Sequence, residues 1–202
     1  MKKKYKTIFK HEEKVSWTLA ESLFKPKEME FGFKVLVPIL FFVDYAMIKM
    51  NLKRTQANLF FTKKLALEAV KNMSEGGNRN EEREKIVTGT NKLLKTDKKE
   101  VYSQQVREAQ LSEIDILISH YLKLLDSEGK EYGDLAKAAY SSKKEYNSFL
   151  KALEKAEKNV NNTAITDLKV ESKKDLRAWF SRLEKNTSRI RKEETEEIFS
   201  GE

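Results

Sequence analysis

The sequence predicts an all-α protein, built as an elongated helical bundle, and three observations support that fold class. The 202 residues include only two prolines and seven glycines, too few turn signals for a β-sandwich or β-barrel. Lys, Glu, Leu and Ala are abundant, and all four favour helices. Apolar residues recur at intervals of three and four over most of the chain, which is the spacing of an amphipathic helix.

The first predicted element is a short amphipathic helix over residues 12–24. Val15, Leu19 and Leu23 follow one another at intervals of four and form its apolar stripe. Pro26 ends this helix, since the residue before a proline avoids the helical conformation. The hydrophobic segment, residues 31–50, comes next and is predicted to continue as helix to about residue 73.

Residues 74–97 are predicted to be a flexible connector between an N-terminal unit, 1–73, and a C-terminal unit, 98–202. The connector opens with SEGGNRN, which combines a glycine pair with polar residues and has no apolar anchor. A short helix over 81–95 is compatible with the pattern but is weakened by Gly89.

The C-terminal unit is predicted to contain a central helix and a long antiparallel, coiled-coil-like hairpin. The helix over 98–126 carries apolar residues on two faces and therefore needs to be covered from two sides, either at the centre of a bundle or at a dimer seam. Residues 132–160 and 165–198 show four-three apolar spacing, which is typical of helices that pack by knobs into holes. The Asn-rich stretch 159–164 would join the two arms.

The positive charge of the chain lies beside its most apolar stretch. The net charge is +8, and residues 1–73 hold fifteen Lys and Arg against seven Asp and Glu, so the whole excess lies there. Fifteen of the twenty residues in the hydrophobic segment are apolar. Basic residues around such a segment indicate contact with anionic lipid, to which each Lys or Arg contributes on the order of 1 kcal/mol.

Three environments are open to the hydrophobic segment. Twenty helical residues would just cover a hydrocarbon core of about 30 Å. However, Asp44 would then lie inside the core, and Pro38 would interrupt the helix. A monotopic attachment, dipping shallowly beneath the headgroups, is therefore favoured over a transmembrane span. Burial in the bundle or in a partner protein is the third environment, and length alone does not decide among them.

The predicted membrane-contact site consists of two sets of residues from this N-terminal unit. The apolar set, expected to touch membrane or partner, is Trp17, Leu23, Phe24, Phe31, Phe33, Leu36, Ile39, Phe41, Phe42 and Ile48. The basic set, expected to touch anionic lipid, is Lys2, Lys3, Lys4, Lys6, Lys10, Lys25, Lys27, Lys53 and Arg54. Lys63 and Lys64 are also expected to face the phospholipid.

No motif for catalysis, cofactor binding or metal binding stands out in the sequence. The chain has no Cys, which excludes thiolate metal sites and cysteine nucleophiles, and it lacks the glycine-rich phosphate-binding motifs. His120 lies on an apolar stripe and is expected to be a histidine on the flank of the bundle, while His11 lies among charged residues. We therefore expect no catalytic residue, no cofactor and no small-molecule substrate.

These observations predict a non-enzymatic helical scaffold or adaptor, located in the cytoplasm and attached peripherally to the inner face of a membrane. Its hairpin would self-associate or dock a helical protein partner. Two alternatives stay open. The hydrophobic segment could plug a groove in a larger complex of which this chain is an accessory subunit. The chain could also be a basic nucleic-acid-binding protein, although the neutral charge of residues 74–202 disfavours this.

Overall fold

The computed structural model describes residues 1–23, 52–96, 102–167 and 173–200, which fold into seven α-helices and no β-strand. Their bounds are α1 Lys2–Leu23, α2 Leu52–Ser74, α3 Arg79–Thr96, α4 Gln104–Asp126, α5 Tyr132–Ala139, α6 Lys143–Asp167 and α7 Lys173–Ile198. The predicted all-α class is thereby confirmed. None of these seven helices is both long enough and apolar enough to cross a bilayer. The hydrophobic segment lies outside the described residues.

The first two helices form an antiparallel pair that covers the core. Lys63 of α2 bonds Glu12 of α1, while further along α2 Glu68 acts electrostatically on Tyr5 near the start of α1. Helix α1 is longer than the predicted helix over 12–24, because it begins within the basic lead at Lys2. The antiparallel arrangement places the end of α1 and the start of α2 at the same end of the bundle.

The connection from α2 to α3 is a tight glycine turn. Gly76 has φ 105°, in the left-handed region that glycine adopts without strain. Its N–H donates to the Met73 carbonyl, and the Gly77 N–H donates to the Asn72 carbonyl at 2.9 Å. This pair of bonds is the Schellman motif, which satisfies the last carbonyls of α2.

Helix α3, which lies in the stretch predicted to be a flexible connector, packs against α4. Arg107 of α4 is buried, and its guanidinium donates to the Thr90 hydroxyl and the Val87 carbonyl of α3, each at 3.1 Å. Arg83 and Asp115 add an exposed ion pair between the same helices. The described part of the predicted connector is therefore a turn followed by a full-length, packed helix.

Helix α4 lies at the centre of the bundle, as its two apolar faces predict. It begins at Gln104, where Ser103 accepts a hydrogen bond from the Val106 N–H and caps the helix. Leu117 and Tyr121 are at most 1% exposed, and α1, α2, α3, α5 and α6 all contact this helix.

The long helix expected over residues 132–160 is divided into α5 and α6. Tyr140 has extended backbone, and α6 restarts at Lys143. The Ser142 hydroxyl accepts the Glu145 N–H, and the Glu145 carboxylate accepts the Ser141 N–H. This arrangement resembles a capping box, whose Ser-x-x-Glu signature is present in the sequence as SKKE. The expectation of one continuous helix was wrong because heptad spacing alone does not reveal such a helix start.

Helices α6 and α7 are antiparallel, as three cross-helix contacts show. Lys143 bonds Glu196 near one end, Glu157 bonds Arg191 in the middle, and Asn161 bonds Glu184 further along. The stretch 159–164, expected to be the joining loop, is instead helical because α6 continues to Asp167. Its apolar residues Val160 and Ala164 are buried and extend the packed face. The joint itself falls in residues 168–172, outside the described part of the chain.

Candidate functional site

A layer of ionisable side chains crosses the interior of the bundle. Glu12 of α1, Lys63 of α2, and Glu113 and His120 of α4 are all buried, at most 7% exposed, and we call these four residues the polar layer. They border a cavity of about 100 Å³, to which α1, α2, α4, α5, α6 and α7 all contribute side chains. Buried ionisable groups are costly unless they are paired, so this layer is the strongest candidate site among the described residues.

Glu12 and Lys63 form a buried ion pair. The Lys63 Nζ donates to Glu12 Oε2 at 2.7 Å, and each side chain is 9% exposed. Burial alone would raise the pKa of Glu12, but the charges of Lys63 and His11, together with the hydrogen bond, lower the pKa to about 2. Glu12 is therefore a carboxylate at any ordinary pH.

Glu113 occupies the opposite electrostatic situation in the same layer. The Thr62 hydroxyl donates a hydrogen bond to Glu113 Oε1 at 2.7 Å. Among the described residues, this neutral hydroxyl is the hydrogen-bond donor to the Glu113 carboxyl group. Burial, reinforced by the nearby charge of Glu157, raises the pKa of Glu113 to about 7 against the lowering effect of Thr62 and Lys63. This carboxyl group therefore changes protonation state near neutral pH.

His120 is held neutral among aromatic side chains. Its Nδ1 lies 2.8 Å from the Tyr140 hydroxyl, its Nε2 lies 3.3 Å from the Tyr132 hydroxyl, and its ring stacks on Phe149 at 4.0 Å. Burial lowers the pKa of His120 to about 3, although the charge of Glu12 opposes this. The adjacent Tyr121 hydroxyl is buried and has no hydrogen-bond partner among the described residues.

Helices α6 and α7 contribute a second set of charged groups to the cavity wall. Both guanidinium Nη atoms of Arg191 donate to the Glu157 carboxylate at 2.7 Å, a bidentate pair that raises the Arg191 pKa despite burial. Glu194 lies 2.9 Å from His11 Nε2, and the His11 ring stacks face to face on Tyr132. The cavity is therefore lined by ion pairs on one side and aromatic rings on another.

Lys63 is the one member of the polar layer that was expected at the predicted site, as a lysine facing phospholipid, and this was wrong because its side chain is buried against Glu12. Glu113 and His120 are seven residues apart and thus share one face of α4, a spacing that signals a polar position within an apolar stripe. Nothing in the sequence links these two residues to Glu12 and Lys63, which reach them only through the packing of α1 and α2. Within the described ranges, no group of three or more His, Asp or Glu side chains is placed to hold a metal ion.

The structure distributes the predicted membrane-contact residues unevenly. Leu23 is buried with the apolar residues between α1 and α7, so its side chain serves the core, and Trp17 is half-buried. Lys4 bonds the C-terminal end of α4, where its Nζ donates to the Ser127 carbonyl at 2.6 Å. Of the predicted basic set, the residues that the structure shows exposed are Lys2, Lys3, Lys6, Lys10, Lys53 and Arg54. Outside the described residues lie Phe24, Lys25, Lys27, Phe31, Phe33, Leu36, Ile39, Phe41, Phe42 and Ile48.

The outer surface of α1 and α2 is strongly basic, and we call it the basic face. The two helices carry ten basic but only three acidic side chains that are not buried, whereas α6 and α7 carry thirteen basic and ten acidic ones. On α1 the spacing of Lys3, Lys6, Lys10 and Lys14 sets four exposed lysines in one stripe. The apolar side of α1 faces the core, so this helix is amphipathic with its charged side outward.

The chain matches no known protein family, no curated protein and no solved structure.

Proposed function

We propose that the protein is a non-enzymatic peripheral membrane protein that binds the anionic inner face of a bilayer through its basic face and its hydrophobic segment. The observation that carries this proposal is the excess of seven positive charges among the side chains of α1 and α2 that are not buried. Lipid headgroups attract each such residue by about 1 kcal/mol, so a stripe of them gives appreciable affinity. The hydrophobic segment joins these same two helices in the sequence and would add apolar contact.

This attachment has a defined orientation. From Lys2 to Leu23, α1 is about 32 Å long at 1.5 Å per residue. The lysines at its start are therefore far from the end of the bundle where the hydrophobic segment leaves α1 and enters α2. A bundle that lies with α1 and α2 along the membrane surface would bring both the lysines and that end of the bundle to one bilayer.

The proposal departs from the sequence analysis in what α1 does. Its apolar residues, including Leu19 and Leu23, are buried in the bundle, so α1 would contact headgroups through charge rather than insert as an amphipathic helix. Docking of a partner or a second copy through α6 and α7 remains part of the proposed scaffold role. The apolar residues of these helices face the core, and their exposed surface carries both signs of charge, so such docking would be mainly polar.

Co-sedimentation with vesicles tests the attachment. The full chain should pellet with vesicles containing phosphatidylglycerol and stay in the supernatant with phosphatidylcholine alone. Changing Lys3, Lys6, Lys10 and Lys14 to Gln should weaken the binding by about tenfold or more. A matched control with the same charge loss on α6 and α7 (Lys144, Lys151, Lys155 and Lys185 to Gln) should bind nearly as the wild type does. Changing Phe33, Phe41, Phe42 and Ile48 to Ser should weaken the residual binding that persists at high salt.

Deletion of the N-terminal sixty residues is not a suitable test, since it would remove α1 and with it part of the core. A depth measurement adds a test of orientation. Because the chain has no Cys, labels can be placed singly through Lys6→Cys and Arg54→Cys, near opposite ends of the bundle. A lipid-headgroup quencher should reach both labels if the bundle lies flat.

Three outcomes would overturn the proposal. Equal recovery in the supernatant with both vesicle types is the first. The second is an electrophoretic mobility shift of single-stranded RNA that the α1 lysine substitutions abolish, in a protein that does not bind vesicles. This result would assign the basic face to nucleic acid. Isolation of the chain only in a detergent-resistant stoichiometric complex, with no vesicle binding, would assign the hydrophobic segment to a partner groove.

A further inference from the structure

The cavity beside the polar layer has more negative than positive groups on its wall. Six carboxyl side chains line it, against the three Lys and Arg side chains Lys63, Lys158 and Arg191. Each of these cations is already held by a carboxylate: Lys63 by Glu12, Lys158 by Glu154, and Arg191 by Glu157. The cations therefore neutralise three of the six carboxyl groups and leave the others to different partners.

Glu113 is the deeply buried carboxyl group that no cation holds. It is 5% exposed and lines the cavity, and its Oε1 accepts a hydrogen bond from Thr62. The described residues give no hydrogen bond to its second oxygen, Oε2, and Oε2 is not among the fully buried atoms that lack a partner, so it is open to the cavity. Oε2 is therefore the carboxyl oxygen that a donor in the cavity can approach.

The titratable groups around Glu113 come from α1, α2, α4, α5, α6 and α7. Thr62, Lys63, Tyr121, Glu157 and Arg191 interact with Glu113 directly or electrostatically. The cavity wall also holds His11, Glu12, His120, Tyr132, Tyr146, Glu154, Lys158, Glu184 and Glu194. An anionic ligand would meet Glu113 and Glu157 and would have to displace a carboxylate to reach Lys63 or Arg191. A cation would instead meet Glu113, a carboxyl group that has no ion-pair partner among the described residues.

The rest of the wall indicates an organic cation. Apolar side chains such as Leu150 and Leu153 line the cavity together with the rings of Tyr146 and Phe149. Aromatic faces attract cations, and aliphatic walls favour a ligand with an alkyl part. A cavity of about 150 Å³ holds one benzene ring, so about 100 Å³ suits a ligand of roughly four or five non-hydrogen atoms.

We propose that this cavity binds one small alkylammonium ion, whose N–H groups donate to Glu113 Oε2 and whose alkyl chain packs against the apolar and aromatic wall. This is a ligand-binding activity separate from membrane attachment, because the basic face lies on the outside of α1 and α2. The ligand supplies the charge that Glu113 lacks, and its uptake displaces the proton that keeps this buried group neutral.

Calorimetric titration with n-butylammonium chloride tests the proposal on the full chain. Saturable binding is expected for butylammonium, and at least tenfold weaker binding for the neutral butan-1-ol and for the anionic butyrate. Near pH 6 the binding should release close to one proton, detected by comparing buffers of different ionisation enthalpy. Near pH 8.5 it should release almost none. At pH values below the pKa of Glu113, the affinity for butylammonium should fall about tenfold for each pH unit.

Glu113→Gln is the matched change, because the amide keeps the shape and the acceptor for Thr62 but removes the charge. It should weaken butylammonium binding by about tenfold or more and abolish the proton release. Glu108→Gln makes the same change at an exposed position of α4 and should leave both readouts as in the wild type. Circular dichroism establishes that each variant is folded.

The wild-type protein alone is enough to overturn the proposal. The proposal fails if butanol or butyrate binds as tightly as butylammonium. It also fails if butylammonium shows no saturable binding at its highest soluble concentration, or if it binds without releasing a proton at pH 6. Unchanged binding in a folded Glu113→Gln protein would place the ligand elsewhere and would overturn it equally.

Discussion

Two buried glutamates show how strongly the surroundings of one residue decide its chemistry. Glu12 and Glu113 belong to the same polar layer and are equally desolvated, yet the pKa of one falls to about 2 and that of the other rises to about 7. The difference is the partner: Glu12 receives the ammonium group of Lys63, whereas Glu113 receives the hydroxyl of Thr62. A neutral donor does not offset the cost of burying a charge.

Lys63→Met should destabilise the fold by about 3–5 kcal/mol, because it leaves the Glu12 carboxylate buried without its cation. The double variant Glu12→Gln, Lys63→Met should recover much of this loss, since no buried charge then remains. Denaturant unfolding at pH 7 measures both. Lys64→Met changes the neighbouring exposed lysine and serves as the control. A loss of less than about 1 kcal/mol for Lys63→Met would show that water reaches Glu12 in the folded protein.

Sequence patterns identify core positions but not convergence between distant core residues. Leu117 and Tyr121 are predicted from the apolar stripe of α4, and both are buried. The polar layer is not predicted, because Glu12 and Lys63 are unremarkable charged residues until α1 and α2 pack over α4. Helix spacing relates residues three, four or seven apart, and a pair separated by fifty-one positions is outside its reach.

At the scale of the helix, the prediction of type was better than the prediction of ends. The apolar spacing predicts helix for most of the described helical residues, because amphipathic packing dominates helix stability. It does not predict helix over residues 2–11 or 159–164, and it gives α3 only as a possible short helix in a connector. The ends depend on single residues. Ser142 and Glu145 start α6 by capping, and the Asn-rich stretch 159–164 stays helical because Val160 and Ala164 face the core.

Helix α3 provides a direct measure of this balance between propensity and packing. Gly89 lies in its interior, is exposed, and an added Cβ would meet nothing within 4 Å. Gly89→Ala should therefore stabilise the protein by about 0.5–1 kcal/mol, through the lower entropy of the unfolded chain. Thermal unfolding checks the change. Gly76→Ala is the contrasting variant, because Gly76 has positive φ in the α2–α3 turn, and it should destabilise by a similar or larger amount.

Across the whole molecule, the polar layer governs how stability depends on pH. In the folded protein the pKa of Glu12 is about 2 and that of His120 about 3, both below their ordinary values of 4.5 and 6.5. Each contributes stability that is present above its ordinary pKa and lost as the pH falls. Glu113 has the opposite sign: its pKa rises from 4.5 to about 7, so its contribution is full below 4.5 and lost as the pH rises through 7.

The three groups together predict a plateau and a steep acid limb. Between about pH 4.5 and 6.5 the proton taken up by unfolded His120 balances the one held by folded Glu113, so stability should be nearly flat. Below about pH 4.5 both His120 and Glu12 oppose folding, and the free energy of unfolding should fall by roughly 2–3 kcal/mol per pH unit. Denaturant unfolding across this range measures the profile.

Glu113→Gln is the variant that separates these contributions. Without Glu113, stability should rise by about 1.4 kcal/mol per pH unit between pH 4.5 and 6.5, because His120 is no longer balanced. At pH 8 the variant should be more stable than the wild type by an amount on the order of 3 kcal/mol. A wild-type profile that already slopes across this interval would contradict the assigned protonation of Glu113.

The antiparallel pairing of α1 and α2 has an evolutionary consequence. Neighbouring antiparallel helices are usually joined by two to eight residues, yet twenty-eight separate Leu23 from Leu52. Closing a longer loop costs only about 0.6 kcal/mol for each doubling of its length. Mutation could therefore lengthen, shorten or recompose this insert while the bundle and its ionised interior stay intact. Selection is therefore free to change the sequence between these two helices without rebuilding the part that folds.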